Sequence, residues 1–482
     1  MDEFFFFFFF LLSGLISCSK AAPKVKFDFK GIRQSPSFSE ISEFTHHTTF
    51  HASKKPNIYF IFFDTLRHDL ALKYGKNISK FYKNNFSFNR AYAAGTATVY
   101  STYGLFHSNP AFLAYHAIPQ VLADSNEYGS IYIKLLQQLG YQINSYGFYW
   151  GCVTAEAHEG SSWERFLISF FGWKSRLLER CQHPSNYDEV FNKDQDEITV
   201  RELKSKLPQV VTSPTGHFSI LTFYNNHNPY RWGILGHEAN PDVGEKEDIK
   251  NVTQTKNRYI NSVRGSDKNF NEILEIIGLL PGHEEAVIVL FSDHGEMLYE
   301  KAHESYHGGV PWEEKNKTVL SFHFPENFLS HHHVDQHSLA SIIDVFPTLV
   351  DYLGVTPALP SHLYAGRSLI SQSRKSALIV QSSGENPTRN MVLENNDYKA
   401  WITVEEDDFY HSKSFTLTDI TDTEDRPIPS HDKPCVGKTV DECKDWLNSQ
   451  FSEAITELYP SSNYAVSNVL LEKTKRLPAR SK

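Results

Sequence analysis

The stretch AVIVLFSDHGE, residues 286–296, predicts the fold around which the rest of the chain is arranged. Six apolar residues open it, four of them β-branched or aromatic, which is typical of a strand buried on both faces of a sheet. The run then ends on Asp293, His294 and Gly295. Ligands bind at the carboxyl ends of the strands in an open parallel sheet, so an acid beside an imidazole predicts a metal or phosphate site. The alternative is an ordinary polar turn, because Asp and Gly are common turn residues.

Two other apolar runs end in polar residues in the same way. Residues 58–63 (IYFIFF) are followed by Asp64, and residues 217–230 (HFSILTFYNNHNPY) end in a polar turn that contains His227. Asp64 has the alternative role of a helix N-cap, and an isolated loop histidine is more often a surface residue than a ligand. Residues 318–324 form a fourth apolar run, which also predicts a strand.

A small and hydroxylated segment, Gly95 to Thr98, precedes a predicted helix that runs through Tyr103 and Phe106. Hydroxyl side chains at the start of a helix often cap its exposed amides. This capping role would explain Thr96 and Thr98 without a catalytic role. The same geometry also attracts phosphate or sulfate, because the free amides and the helix dipole favour an anion. Both interpretations stay open at this point.

The segments on either side of the opening strand differ in character. Asn257 to Leu280 has helical spacing of apolar residues, which predicts a long helix packed on the sheet. Residues 297–314 instead form a loop that holds His303 and His307. The glycines and proline that follow them, GGVP, indicate irregular backbone suited to closing over a site.

The overall composition limits the classes of function. A chain of 482 residues can form one large α/β domain or two to three smaller ones. Its net charge is −10 and it has no basic stripe, so a nucleic-acid partner is not expected. Strands interleaved with helical segments predict an α/β sandwich with a mostly parallel central sheet and helices on both faces. Short alternating runs after Ser371 predict a small antiparallel sheet.

The N-terminus, MDEFFFFFFFLLSGLISCSKAAP, is predicted to be a targeting segment. Its apolar run, residues 4–16, is too short to span a bilayer comfortably as a helix. It ends in LISC, residues 15–18, which resembles a bacterial lipobox, where the chain is cut before the cysteine and the cysteine is lipidated. Asp2 and Glu3 stand where Lys or Arg is usual, and an uncleaved apolar anchor is the alternative. The sequence therefore predicts an exported periplasmic or cell-surface protein with a lipid anchor at Cys18.

The chain divides into four predicted regions. Residues 1–18 are the signal and lipobox segment, residues 19–54 a Ser-, Lys- and His-rich tether, residues 55–371 the main α/β domain, and residues 372–482 a C-terminal subdomain with a tail. Four cysteines remain after Cys18, and export invites disulfides. Their spacing favours Cys152–Cys181 and Cys435–Cys443, although two other pairings remain open.

Several motifs appear in the order found in one known family. They are PNIYFIFFDTLR (56–67), NRAYAAGTATVYSTYGLF (89–106), FYNNHNPY (223–230), FSDHGEML (291–298), HGGVPWEE (307–314) and DVFPTLVDYLGV (344–355). Together they resemble the alkaline phosphatase superfamily, on its sulfatase-like branch, over residues 56–371. The resemblance implies the superfamily's α/β sandwich, with residues 55–371 as the catalytic domain. It also implies a metal-binding acid, a nucleophile segment, a histidine near the substrate's anionic group and a metal-binding strand end.

One departure from the family's pattern concerns the nucleophile. Sulfatases carry a Cys or Ser that becomes formylglycine in a CxPSR-type motif, whereas this chain has Thr98 there, lacks the arginine and keeps only Ser101. The stretch from Gly95 to Ser101 more closely resembles the GTxTxxS pattern of phosphoethanolamine transferases, which present a nucleophilic threonine. Those relatives usually have several transmembrane helices and a Glu in place of Asp64. The resemblance thus implies phosphate-ester chemistry with Thr98 as nucleophile; Ser101 and Thr96 are the rival residues.

The resemblance also implies a mechanism and its metal. A divalent ion held by Asp64, Asp293 and His294 would coordinate Thr98 and activate it. His227 and His307 would stabilise the phosphoryl oxygens or protonate the leaving group, and His303 could complete a second metal site. Mixed carboxylate and imidazole ligands favour Zn²⁺ or Mn²⁺, with Ca²⁺ and Mg²⁺ as the alternatives.

The expected partners are a phosphate- or sulfate-ester substrate, with lipids and glycans among the candidates, and the membrane through the lipid anchor. Whether water or another hydroxyl accepts the group decides between hydrolase and transferase. Two other functions are considered, namely sulfate-ester hydrolysis without formylglycine and a catalytically inactive, sulfatase-like binding lipoprotein.

Overall fold

A computed structural model describes residues 26–28, 33, 38–114, 130–147, 195–230, 238–242, 251–325, 328, 331, 336–371, 373–380, 390–404 and 414–458. Two predictions fall outside these residues, the signal and lipobox segment up to Cys18 and the Cys152–Cys181 pairing.

The described residues contain eighteen strands. In chain order they are β1 (Lys26–Asp28), β2 (His51–Ala52), β3 (Ile58–Phe63), β4 (Phe86–Ser87), β5 (Arg90–Tyr92), β6 (Gln142–Tyr146), β7 (His217–Phe223), β8 (Val287–Phe291), β9 (Met297–Leu298), β10 (Ser305–Tyr306), β11 (Lys317–Thr318), β12 (Leu320–His323), β13 (Leu339–Ser341), β14 (Val355–Thr356), β15 (Ser376–Val380), β16 (Asn390–Asn395), β17 (Lys399–Val404) and β18 (Ser414–Thr421).

The same residues contain ten α-helices. These are α1 (Phe38–His47), α2 (His68–Tyr74), α3 (Lys76–Asn84), α4 (Thr98–His107), α5 (Ile131–Gln138), α6 (Gln195–Val210), α7 (Val252–Ile277), α8 (Glu313–Asn316), α9 (Val345–Leu353) and α10 (Val440–Leu458). No helix within the described part of the chain has the length and apolar character needed to cross a bilayer.

A six-stranded sheet forms the centre of the molecule, in the order β4-β12-β8-β3-β7-β6. Strand β3 lies between β8 and β7 and runs parallel to both, with Ile58 opposite Val287 on one side and Phe218 on the other. Strand β6 continues the parallel set, whereas β12 runs antiparallel to β8. The predicted mostly parallel sheet is confirmed, and the strand at residues 318–324 is its antiparallel member.

Successive side chains of β3 point to opposite faces, as the two-residue period of a strand requires. Phe60 packs in one apolar core with residues of α4, α5 and α9, such as Phe346. Ile61 packs in a second core with residues of α3, α6 and α7, such as Phe270. Because both faces of β3 are covered by helices, every residue of the strand is buried, which explains its uninterrupted apolar sequence. The predicted helices on both faces are therefore confirmed.

The C-terminal region forms a five-stranded antiparallel sheet, in the order β1-β18-β17-β16-β15. Helix α10 packs against it through buried residues such as Leu447 and Ile455. A disulfide joins Cys435 to Cys443 at the start of this helix, as the cysteine spacing predicted. The small antiparallel sheet predicted after Ser371 is thus present. Its fifth strand, β1, comes from the N-terminal part of the chain.

The prediction of a tether over residues 19–54 is wrong for part of that range. Strand β1 pairs with β18, helix α1 buries Ile41, and β2 pairs with β14. The polar composition hid the apolar spacing Ile41, Phe44 and Phe50, and a three-residue edge strand is too short to show a period. The folded body of the protein thus begins before Lys55.

Candidate active site

The carboxyl ends of β3, β7 and β8 meet at one edge of the central sheet. Asp64 directly follows β3, Asp293 lies two residues after β8, and His227 lies in the turn after β7. These three strands are parallel neighbours, so residues distant in sequence come together. This edge is where parallel sheets bind ligands.

Asp64, Asp293 and His294 are buried together at this edge. One ligand atom from each residue lies within 4.8 Å of the other two, and all three side chains are nearly inaccessible to solvent. Burial, with repulsion from Asp293, raises the pKa of Asp64 well above its usual range. None of these three side chains is positively charged, because the imidazole is neutral, and a divalent cation would offset the two carboxylates.

One oxygen of the Asp293 carboxylate accepts hydrogen bonds and the other does not. Its Oδ1 accepts hydrogen bonds from the amides of Thr65, at 3.2 Å, and His294, at 2.9 Å. Its Oδ2 is buried without a hydrogen-bond partner. Burial raises the pKa of Asp293 to about 7, although the two amides oppose the shift. An orphaned carboxylate oxygen that faces Asp64 and His294 fits a metal ligand.

The ring of His294 is fixed in the tautomer that a metal ligand needs. Its Nδ1 lies 2.8 Å from the Gly295 carbonyl oxygen, which can only accept, so Nδ1 carries the proton. Burial, with the nearby His307, lowers the pKa of His294 well below its usual value, and the ring is neutral. The Nε2 lone pair therefore points to the carboxylates, 3.3 Å from Asp293 Oδ2.

Helix α7 supports the turn that carries Asp64. The hydroxyl of Tyr259 donates to the Thr65 carbonyl, at 2.6 Å, and accepts from the Arg67 amide, at 2.9 Å. Thr65 has φ 56°, a left-handed conformation that non-glycine residues adopt only when their surroundings hold them. Tyr259 thus supports the site, and sequence analysis did not identify this role. The sequence showed only that Tyr259 lies on the buried face of the helix.

The hydroxyls of Thr96, Thr98 and Ser101 lie in three different environments. Thr98, the first residue of α4, is half-buried, and its Oγ1 lies 3.4 Å from Asp64 Oδ1 and 3.2 Å from His294 Nε2. Ser101 is fully buried and donates to the Asp293 carbonyl at 2.6 Å. Thr96 is also fully buried and donates to the Gly309 carbonyl at 3.2 Å. Of the three, Thr98 is the hydroxyl that both contacts the Asp/His cluster and is partly open to solvent.

The rings of His227, His307 and His294 form a row beside this cluster. Their centroids are 4.9 Å apart between His227 and His307, and 4.8 Å between His307 and His294. His307 Nδ1 lies 3.4 Å from Glu296 Oε2. Burial disfavours the charged ring of His307, but the Glu296 carboxylate outweighs it and raises the pKa of His307. Burial, with the charge of His307, lowers the pKa of His227 to about 4.

The structure does not bring His303 to the cluster. His303 is exposed, in a left-handed conformation on the loop between β9 and β10, and it is not part of the Asp/His group found within the described residues. The expectation that it completes a second metal site is therefore unsupported, because the loop turns it outward.

Two more residues of the site were not predicted from the sequence. Glu296 ends the stretch DHGE and is fully buried behind His307, which its position one residue after Gly295 could have indicated. Lys315 is 2 % exposed and its Nζ donates to the Gly308 carbonyl at 2.6 Å, bracing the loop that holds His307. No pattern in the sequence identified the lysine, because its contact depends on the loop conformation.

The fold and the Asp/His cluster define a protein of the sulfatase-like α/β class. The sulfatase family model matches residues 56–355, more than half of the chain, and the chain belongs to the sulfatase family. A comparison with curated protein sequences finds no match.

Several solved structures share this fold. They include a 2-O GAG sulfatase (15 % identity, TM-score 0.55, 87 % of this chain and 95 % of that chain covered). A phosphonate monoester hydrolase from Silicibacter pomeroyi is also similar (13 % identity, TM-score 0.57, 84 % of this chain and 96 % of that chain covered). A third similar structure is that of a protein in complex with its substrate D-glucosamine-2-N,6-O-disulfate (14 % identity, TM-score 0.56, 83 % of this chain and 98 % of that chain covered). At these identities the likeness establishes the fold.

Proposed function

We propose that the chain is a metal-dependent enzyme that hydrolyses or transfers phosphate esters through a covalent intermediate on Thr98. The observation that carries this proposal is the position of the Thr98 hydroxyl, half-buried and within 3.4 Å of Asp64 and 3.2 Å of His294. Its rivals Ser101 and Thr96 are fully buried and bonded to backbone carbonyls. A hydroxyl beside a metal-ligand cluster and partly open to solvent has what a nucleophile needs.

The metal site comprises Asp64, Asp293, His294 and Thr98. A divalent ion bound there would lower the pKa of the Thr98 hydroxyl and offset the negative charge of the substrate. Two carboxylates, an imidazole and a hydroxyl favour Zn²⁺ or Mn²⁺ over Ca²⁺, which prefers oxygen ligands.

Side chains of the protein perform the transfer of the phosphoryl group. The Thr98 hydroxyl gives its proton to Asp64, whose Oδ1 lies 3.4 Å away. The Thr98 oxygen attacks phosphorus, a new O–P bond forms, and the bond from phosphorus to the leaving oxygen breaks. His307, whose raised pKa favours the protonated ring, donates a proton to that leaving oxygen. His227 lies beside His307 and is neutral. Its Nδ1 donates to the Asn228 carbonyl oxygen at 2.8 Å, so His227 packs against His307 and the proton donation is made by His307. Water or a sugar or lipid hydroxyl then attacks the phospho-threonine and gives its proton to His307, which is neutral after the first step. The O–P bond to Thr98 breaks, and Thr98 recovers its proton from Asp64.

Sulfate-ester hydrolysis is the second candidate function, because the family is that of the sulfatases. It would have to proceed without formylglycine, since Thr98 stands where sulfatases carry the Cys or Ser that becomes formylglycine.

A substrate screen tests these functions. Purified protein is loaded with Zn²⁺ or Mn²⁺ and incubated with phosphomonoester, phosphodiester and sulfate-ester model substrates. We expect turnover of a phosphate ester that a chelator abolishes, and retention of that turnover in Thr98→Ser, which keeps the hydroxyl. Turnover of the sulfate ester alone would favour the second candidate. Bound metal without turnover of any ester would favour a binding protein.

We also propose that the protein is exported and anchored by a lipid on Cys18. This rests on the lipobox-like sequence LISC at residues 15–18. A membrane anchor would keep the enzyme near sugar or lipid esters of the cell envelope.

A further inference from the structure

The loop from Tyr299 to Trp312, which carries His307, has a conformation that its own sequence does not favour. Within it, left-handed φ values occur at four residues other than glycine: Tyr299 (65°), Ala302 (51°), His303 (55°) and Tyr306 (68°). Side chains rarely adopt this region, because the Cβ atom crowds the following carbonyl. The loop must therefore be held in place by contacts with the rest of the protein.

The carboxylate of Asp425 provides such contacts at both ends of the loop. Its Oδ2 accepts from Lys301 Nζ, at 2.6 Å, near the start of the loop. The same oxygen accepts from the amide of Glu313, at 2.7 Å, directly after the loop. One buried oxygen thus ties together two points of the chain that lie on either side of His307.

Asp425 belongs to the C-terminal subdomain and is itself fixed there. It lies in the turn after β18, and its side chain is 0 % exposed. Its Oδ1 accepts from Lys399 Nζ, at 2.8 Å, and Lys399 is a fully buried residue of β17 that also bonds Glu313. Charge-assisted bonds of this kind, removed from solvent, are stronger than surface ion pairs. The contact therefore connects the loop to the rigid antiparallel sheet.

The other side of the loop lies against the nucleophile segment. The Gly308 amide donates to the Thr96 carbonyl at 2.5 Å, and Thr96 in turn donates its amide to Val380 of β15 at 3.2 Å. The His307 loop and the Thr98 segment thus both rest on the C-terminal sheet. Holding the loop fixes the position of His307 relative to Thr98.

We propose that Asp425 is a positioning residue that acts through His307 by clasping the two ends of its loop. This inference rests on the proposed function for its effect on turnover, but the clasp itself is independent of it. Asp425 does not contact the reacting atoms, and its effect on the reaction is exerted by keeping the His307 ring beside His294 and Thr98.

Hydrogen exchange tests the clasp directly. Asp425→Asn keeps the shape of the side chain but removes the charge that binds Lys301 and Lys399. We expect the amides of residues 299–312 to exchange at least about tenfold faster than in the wild type, while those of α7 do not change. The matched control is Glu424→Gln in the same turn, whose side chain is 61 % exposed and pairs with Arg426. Unchanged exchange in the loop of Asp425→Asn would overturn the proposal, whatever the enzyme's activity.

A double-mutant cycle tests the action through His307. Asp425→Asn should lower kcat when His307 is present and have no further effect in a His307→Gln background. An equal fall in both backgrounds would mean that Asp425 acts elsewhere. If Asp425→Asn does not fold, Lys301→Gln removes the partner at a part-exposed position, and the same results are expected. Absence of turnover in the wild type would contradict the proposed function and leave hydrogen exchange to decide the clasp.

Discussion

At the scale of single residues, the chemistry of the site depends on two carboxylates that are buried side by side. Asp64 and Asp293 lie together in the interior beside a neutral His294, and Asp293 Oδ2 has no hydrogen-bond partner. Such an arrangement opposes folding unless a cation is bound. The site is therefore expected to gain its stability from the metal.

Asp293→Asn tests this expectation. The variant should lose most of the bound metal, because it replaces a charged ligand oxygen by an amide. Binding at one hundred times Kd stabilises a protein by about 2.7 kcal/mol, so added Zn²⁺ or Mn²⁺ should raise the unfolding temperature of the wild type and not of the variant. The metal-free variant should be at least as stable as the metal-free wild type, since it buries less charge. Metal content and thermal unfolding measure both effects, and a variant with wild-type metal content would contradict the ligand assignment.

At the scale of elements, helix α7 stabilises the turn that carries Asp64 through one hydroxyl. Tyr259 bonds both the Thr65 carbonyl and the Arg67 amide, and both groups are buried.

Tyr259→Phe should therefore leave a buried donor and a buried acceptor unpaired. We expect a loss of about 1–3 kcal/mol in the free energy of unfolding, together with weaker metal binding, because the turn carries Asp64. The control is Tyr74→Phe in α2, a partly buried tyrosine packed on the same core, for which a change within about 0.5 kcal/mol is expected. Urea unfolding followed by fluorescence measures both, and equal losses in the two variants would contradict the role given to Tyr259.

The sequence was informative about elements where an apolar pattern is long and uninformative where tertiary contacts decide the conformation. Strands β3, β7 and β8 were predictable because burial on both faces requires continuous apolar runs. Since parallel strands share one carboxyl edge, the ends of these runs also predict that Asp64, Asp293 and His227 lie at the same edge. The outward position of His303 was not predictable, because it follows from left-handed backbone at residues such as Ala302, which no residue type signals. Strand β1 was missed because its pairing is decided by β18 and not by its own three residues.

At the scale of the whole molecule, the antiparallel C-terminal sheet is part of the site's support. Its strand β15 pairs with the segment before Thr98 through Val380, and its turn after β18 holds the His307 loop through Asp425. An α/β domain with helices on both faces and a second sheet was predictable from the order of apolar runs. The sequence did not predict that the site depends on this second sheet. The dependence rests on single ion pairs between residues more than one hundred positions apart.

Localisation is a property of the whole chain, and we propose that it depends on Cys18. If Cys18 is lipidated, Cys18→Ala should move the protein from the membrane to the soluble fraction of an expressing bacterium. The fold should be unaffected, because Cys18 precedes β1, the first element that the structure describes. Fractionation followed by immunoblotting measures this. Unchanged membrane association of Cys18→Ala would indicate an uncleaved apolar anchor instead.

The central claim, that Thr98 carries a covalent phosphoryl group during turnover, is tested most directly by mass spectrometry of the protein quenched in acid during reaction with a phosphate ester. We predict a phosphate, or a substituted phosphate, on Thr98 in the peptide that contains residues 95–101. We also predict that Thr98→Ala lacks the adduct and loses several orders of magnitude in turnover while keeping its fold. A phosphate on Ser101 or Thr96, or near-wild-type turnover in Thr98→Ala, would contradict the account.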